Sequence, residues 1–287
     1  MPLISMRPML KQAQAGRYGV AAYNMIDYNS ARSIVEGAAD LKAPVIVQVS
    51  VKTVRHWGYA PVAAWVRMLA EGVDIPVALH LDHCSDIDVI RRCIDAGWTS
   101  VMFDGSALPF AQNLERSLEV YRLTEAAGIG LEAEMGAIGG TEDDKFVAED
   151  KALLADLDEC VAFCKEMPKL AVFAPAIGTA HGFYKGEPKI AYDLLRAITR
   201  RVDIPIALHG GTGLSQEQFD RCIAGGCAKV NISTMHKRCF IDGFADLKTE
   251  KPKLGEPLPF IIRQYEAMKH DVSAMVRAFG SVGRAGA

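Results

Sequence analysis

The sequence predicts an α/β fold, a (β/α)8 TIM barrel with a C-terminal helical extension. Three observations predict it. Eight short runs rich in Val, Ile and Ala recur along the chain, and stretches with helical periodicity separate them. The runs are close to continuously apolar, as strands of a parallel sheet covered on its outer face are. Their starts lie 24 to 40 residues apart, room for one strand, one crossover helix and two turns.

In order the runs are 19-GVAAYNM, 44-PVIVQVS, 76-PVALHLDH, 100-SVMFDG, 130-GLEAEMG, 170-LAVFAPAIG, 205-PIALHGGTG and 229-KVNIST. The second, third and seventh open on Pro44, Pro76 and Pro205, placed at a strand's first residue where the missing N–H does least harm. Helical stretches between runs include 30-SARSIVEGAADLK, 85-SDIDVIRRCIDAG, 110-FAQNLERSLEVYRLTEAAG and 215-SQEQFDRCIAGG. Ser85 and Ser215 stand where an N-cap hydroxyl would accept from the first free N–H groups. Eight strands favour closure into a barrel; an open doubly wound sheet is the alternative. Residues 1–287 read as a single domain, since one barrel routinely reaches this length. Residues 250–287 hold a Pro-rich start and the helix-patterned 261-IIRQYEAMKHDVSAMVRAFGS. They are too few for a second core and are expected to pack on the barrel or on a neighbouring subunit.

Half the residues are apolar, 23% are charged and the net charge is −3, a composition that excludes disordered and collagenous classes. Lys and Arg are dispersed rather than gathered in a stripe, so no nucleic-acid partner is expected. No stretch is apolar enough to span a bilayer and no secretory h-region opens the chain, so a cytoplasmic protein with no membrane partner is expected. The seven cysteines include no CxxC pair and read as reduced thiols. Cys160 and Cys164, at i and i+4 of a helix, read as core-facing rather than metal-binding.

Polar residues interrupt the runs chiefly toward their carboxyl ends. His80, Asp82 and His83 close the third, Asp104 the fourth and His209 the seventh; Glu132 and Glu134 lie in the fifth and His181 follows the sixth. In a parallel barrel those ends meet on one face, the face that carries active sites. Each histidine alone is as readily a satisfied buried side chain. Three converging on one face, His83, His181 and His209, match a catalytic zinc site, which leaves its fourth position open for substrate. Asp104 and Glu134 can orient those histidines or hold a second metal position, and His80 is a partner behind them or part of the interior. Glu132 has the alternative of an ion pair with a barrel Lys or Arg. His56, His236 and His270 read as solvated or packing residues. After the seventh and eighth runs, 209-HGGTGLS and 231-NISTM offer the N–H groups of Gly210, Gly211 and Thr212 as an anion nest, with hydroxyls from Thr212, Ser233 and Thr234. The segment 136-GAIGGTEDDKF reads as a glycine-hinged lid carrying Glu142, or as a solvated acidic loop.

The pieces 79-LHLDH, 102-MFDGSALPFAQN, 131-LEAEMGAIGGTEDD, 177-IGTAHG, 208-LHGGTGL, 230-VNISTM and 279-FGSVGRA resemble, in order and nearly end to end, the motifs of the class II fructose-bisphosphate and tagatose-bisphosphate aldolase family. The resemblance implies zinc on His83, His181 and His209, with Asp104 and Glu134 at the second metal position. It makes Asp82 the proton donor and acceptor at the hydroxyl beside the scissile bond, and Glu142 the base toward the dihydroxyacetone phosphate carbon. Gly182, Gly210, Gly211, Thr212, Asn231, Ile232, Ser233 and Thr234 match the phosphate-binding segments. Asn24, Gln48, Ser50 and Arg55 complete the expected substrate-binding set. Family members often also bind a monovalent cation, Na+ or K+, and assemble as homodimers or homotetramers.

The implied reaction cleaves a ketose 1-phosphate or 1,6-bisphosphate, of fructose or tagatose type, into dihydroxyacetone phosphate and an aldehyde through a zinc-stabilised enediolate. The strand ends carry no lysine directed at the site, as a Schiff-base route would require. Two departures bear on the substrate: Ala107 stands where the family commonly has His, and the loop after the second strand, 50-SVKTVRHWG, replaces a segment of small residues. Lys52, Arg55, His56 and Trp57 there suit an anionic far end, a C6 phosphate or sulfonate. A metal-dependent sugar-phosphate epimerase or isomerase and a non-catalytic sugar-phosphate-binding barrel are the competing readings.

Overall fold

The structure is a computed structural model that describes residues 2–142, 145–147, 153–184 and 186–286, the side chains of residues 141, 142 and 145–147 lying outside that description. Its strands are β1 (Val20–Asn24), β2 (Val45–Ser50), β3 (Val77–Cys84), β4 (Ser100–Phe103), β5 (Gly130–Met135), β6 (Gly139–Glu142), β7 (Lys145–Val147), β8 (Val172–Pro175), β9 (Ala180–His181), β10 (Ile206–Leu208) and β11 (Cys227–Ile232). Eight of them close a parallel barrel in the order β1-β11-β10-β8-β5-β4-β3-β2. All eight apolar runs become barrel strands. The remaining three form a separate sheet, β7-β6-β9, beside the barrel.

The helices are α1 (Met6–Gly16), α2 (Tyr28–Ala39), α3 (Val51–Trp57), α4 (Tyr59–Glu71), α5 (Ile87–Asp95), α6 (Phe110–Ala127), α7 (Leu157–Glu166), α8 (Tyr192–Arg201), α9 (Gln216–Ala224), α10 (Thr234–Glu250) and α11 (Leu258–Ala278). Side chains pointing outward from the strands and inward from the helices make one buried layer, among them Val47, Leu79, Val101, Phe173 and Leu208. A second, smaller cluster fills the barrel interior. There Met6, Met9, Leu10 and Ala13 of α1 meet Ala22, Ile46, Ala78 and Ala174. The Ile4 N–H donates to the Val77 carbonyl at 3.0 Å, at the start of β3, so α1 stoppers the barrel's amino end. No sequence motif announces that helix. Cys160 and Cys164 are buried free thiols, in keeping with a core role.

Two local expectations change. The segment at 52–57 is not a loop but α3, because the Ser50 hydroxyl accepts from the Thr53 N–H at 3.3 Å and starts a helix directly at the strand's end. The cap of α5 is Asp86 rather than Ser85: its carboxylate accepts from Asp88 and Val89 N–H groups, where charge also meets the positive helix terminus. Ser215 caps α9 as expected, with Gln218 closing a capping box. At the carboxyl end α11 packs on α2 and α10, and the Gly19 N–H donates to the Phe279 carbonyl, which fastens the extension to the barrel. Among the described residues no helix is long and apolar enough to cross a membrane.

Candidate active site

Successive residues of a strand point to opposite faces, so Asp82 and His83 cannot both reach the barrel mouth from a regular β3. The β3–β4 register shifts between Leu81 and Cys84, and His83 adopts φ +47°. This bulge re-aims both side chains to the mouth. A left-handed residue other than glycine costs about 1–3 kcal/mol, and such strain gathers at functional sites.

His83, His181 on β9 and His209 just past β10 converge. Their ring centroids lie 5.2 Å (83–181), 4.7 Å (83–209) and 5.9 Å (181–209) apart, and one nitrogen from each falls within 4.8 Å of the others. His83 Nδ1 lies 3.2 Å from Asp104 Oδ2, and His209 Nε2 lies 2.7 Å from Glu132 Oε1. Ionised carboxylates only accept, so those two ring nitrogens carry the protons and the other two, His83 Nε2 and His209 Nδ1, are left with lone pairs. The lone-pair nitrogens face each other at 2.9 Å. With the carboxylate-facing nitrogens protonated, that contact sets two lone pairs face to face, which a cation shared between them accommodates, so the donor set fits a metal. Burial lowers the His209 pKa, only partly opposed by Glu132, which keeps the ring neutral as a ligand must be. Asp104 also accepts from Ser106 N and Oγ, and Glu134 Oε2 stands 3.7–3.8 Å from His83 and His209 Nδ1. His83, Asp104 and Glu134 form a second group able to hold an ion.

Glu132 takes the ion-pair alternative: Lys229 Nζ, on β11, lies 2.8 Å from its Oε2, and both side chains are fully buried. Burial would raise the Glu132 pKa, but Lys229 and hydrogen bonds from His209 and His80 hold it well below the usual carboxylate range. The same lysine donates to Asn231 Oδ1 at 2.7 Å. The sequence reading gave this lysine no role, because 227-CAKVNIS has no polar pattern separating it from a surface residue.

Asp82 is buried. Its Oδ2 accepts from Asn24 Nδ2 at 2.8 Å, and Asn24 Oδ1 accepts from Gln48 Nε2 at 3.1 Å, a chain across three adjacent strands. Asp82 Oδ1 has no hydrogen-bond partner among the described residues. A cavity of about 430 Å³ opens beside His181 and is lined by it and by Gly182, Gly210, Gly211, Thr212, Asn231, Ser233 and Thr234. Lys52, Phe183, Lys237, Arg238, Ile241 and Asp242 complete its wall. Ile232 is buried behind it. Lys237 and Arg238 escaped the sequence reading although their spacing from Thr234, i+3 and i+4 on α10, puts them on its face of the helix.

The Tyr184 hydroxyl accepts from the Ala180 N–H at 3.0 Å and donates to the Gly210 carbonyl at 2.7 Å, which ties the nest to the His181 segment. Gly210 has φ +68°, and a Cβ there would stand 2.4 Å from the Ala180 carbonyl. Gly210→Ala is expected to cost about 1–3 kcal/mol in stability from the backbone strain and to weaken phosphate binding, as thermal unfolding and calorimetry with inorganic phosphate would measure.

Not every expected residue arrives. Arg55 turns away on α3 to pair with Asp86 at 3.0 Å and does not line the cavity, whereas Lys52, one turn earlier, does. Trp57 donates to the Ile26 carbonyl, and His56 lies exposed against it. Ser50 spends its hydroxyl on capping α3. Glu142 is placed only by its backbone, in β6; its side chain lies outside the described residues.

A closed βα barrel with polar side chains gathered at the carboxyl ends of its strands defines a barrel enzyme. Comparison with known proteins narrows the class: the family model "Fructose-bisphosphate aldolase class-II" matches residues 4–284. A fructose-bisphosphate aldolase of Geobacillus stearothermophilus is 38% identical over 288 residues, 99% of each chain. A sulfofructosephosphate aldolase of Alkalicoccus urumqiensis is 35% identical over 285 residues, again 99% of each. The crystal structure of the YdjI aldolase from Escherichia coli K12 superposes with a TM-score of 0.87 at 24% identity over 99% of both chains, a likeness of fold. The chain belongs to the class II fructose-bisphosphate aldolase family. That membership does not favour the epimerase, isomerase or non-catalytic readings.

Proposed function

We propose that this chain is a zinc-dependent aldolase that reversibly cleaves a ketose 1-phosphate bearing a C6 anion, a fructose- or tagatose-type 1,6-bisphosphate or its C6-sulfonated counterpart, to dihydroxyacetone phosphate and an aldehyde. The observation that carries the reading is the buried Asp82, with one carboxylate oxygen engaged by Asn24 and the other without a partner, beside three converging histidines. His83, His181 and His209 would hold the zinc, which when bound supplies Lewis-acid stabilisation of charge developing at the substrate carbonyl. Asp82 Oδ1 takes the proton of the C4 hydroxyl in cleavage and returns it in condensation, while Asn24 and Gln48 keep its other oxygen occupied. Glu142 moves the proton at the dihydroxyacetone phosphate carbon, a role that rests on the family resemblance. Backbone N–H groups of Gly210, Gly211 and Thr212 and the hydroxyls of Ser233 and Thr234 receive the C1 phosphate, with a Na+ or K+ ion beside it.

The anionic far end is supported by Lys52 in the cavity wall, and by a relative whose name states a sulfonated substrate. The proposed homodimer or homotetramer is supported by the exposed apolar side chains of Leu258, Ile261 and Ile262 on α11, beside Ile241 and Phe244 on α10. A coupled assay for dihydroxyacetone phosphate release tests the substrate. Ketose 1-phosphates with a C6 phosphate or sulfonate are expected to exceed the C6-hydroxyl compound in kcat/KM by about 10- to 100-fold, the worth of a charge-assisted hydrogen bond. Equal values for charged and neutral C6 would refute the anionic subsite.

A further inference from the structure

Lys229 is a fully buried cation that the proposed chemistry does not use. It stands on β11 at the junction of two arms, an ion pair to Glu132 at 2.8 Å and a hydrogen bond to Asn231 at 2.7 Å. The first arm continues from Glu132 Oε1 to His209 Nε2 at 2.7 Å. The second ends at Asn231, whose side chain lines the cavity. His80 Nε2 also lies 3.2 Å from Glu132 Oε2.

A carboxylate buried without a counter-charge is too costly to persist as an ion, and only as an ion is Glu132 restricted to accepting. With Lys229 beside it, Glu132 obliges His209 to donate from Nε2 and so to offer Nδ1 toward His83. The lysine also occupies the Asn231 carbonyl oxygen, which leaves the amide NH2, its nitrogen 3.5 Å from His209 Nε2, as the remaining polar group of a residue in the cavity wall. We propose that Lys229 is the positioning residue of this site: through Glu132 it sets the His209 tautomer that faces the metal, and through Asn231 it sets the polarity of one cavity wall. This rests on the metal-dependent aldolase reading.

Two measurements test it. The double variant Lys229→Met/Glu132→Gln removes both charges together, so no buried ion is left alone, and its amide, which can flip, no longer dictates the tautomer. Zinc affinity is to be measured by chelator competition and folding by thermal unfolding of the metal-free protein. The expected result is a folded protein whose zinc affinity is about 10- to 100-fold weaker, the usual loss when a ligand's orienting partner is removed, together with a raised KM for the sugar phosphate. Wild-type zinc affinity in a folded double variant would show that the pair only fills the core and would overturn the proposal. The second measurement needs no variant: nitrogen-15 NMR of the metal-free wild-type imidazoles, with His209 assigned by its loss in His209→Asn. Protonation at Nε2 is expected, and protonation at Nδ1 would overturn the proposal even where the double variant fails to fold. A wild-type chain without zinc affinity would instead sink the metal-dependent reading, a failure distinct from either result.

Discussion

Asp82→Asn is expected to lower kcat for ketose-phosphate cleavage by about 10²–10⁴-fold, the contribution of a positioned acid–base group, with zinc content unchanged. The substitution keeps the size of the side chain and its contact to Asn24 but removes the oxygen able to take the C4 hydroxyl proton. The proposed mechanism makes a sharper demand. Exchange of the dihydroxyacetone phosphate C–H proton with solvent needs no C4 hydroxyl, so it should persist in Asp82→Asn and disappear in Glu142→Gln. Proton-exchange NMR on dihydroxyacetone phosphate separates the two. Loss of exchange in both variants would place Asp82 in binding rather than proton transfer.

Metal removal is the second large effect. Lewis-acid stabilisation is worth several kcal/mol, so exhaustive chelation should lower the cleavage rate by about a thousandfold or more, and zinc should restore it. A readout independent of turnover accompanies this one. Zinc binds the folded chain alone, so zinc at about a thousand times its dissociation constant should stabilise it by about 4 kcal/mol, visible as a rise in the unfolding midpoint. His181→Ala should reduce that rise with little change in the metal-free midpoint, because this ring is only half buried whereas His209 is part of the interior. Activity surviving chelation, with no zinc-dependent stabilisation, would remove the metal from the mechanism.

How much of this could be read before any coordinates is decided by contrast. A strand such as 76-PVALHLDH is apolar until its end, so Asp82 and His83 stand out against their own element, as do Asp104 and His209. The βα repeat then assigns them all to one rim, and the structure brings them together there. Residues whose role depends on a partner distant in sequence were not legible in this way. Lys229 looks ordinary until β5 sets Glu132 beside it, and Arg55 looks available until α5 presents Asp86. The bulge was illegible too: strand periodicity assigns Asp82 and His83 to opposite faces, and only a register shift with a left-handed histidine reconciles them. The helix at 51–57 and the β7-β6-β9 sheet fall in segments where glycine, charge and short apolar stretches alternate without a sustained period.

The helix that stoppers the amino end gives the molecule a direction. Arg7 on α1 pairs with Glu125 on α6 and Lys11 with Asp203 ahead of β10, so this one element clasps two distant parts of the ring while its methionines fill the bore. Among the described residues that plug closes the floor. Whatever enters at the histidine rim must depart by the same doorway, so the two halves of a cleaved molecule share one exit and their order of release is dictated by which of them lies nearer to solvent.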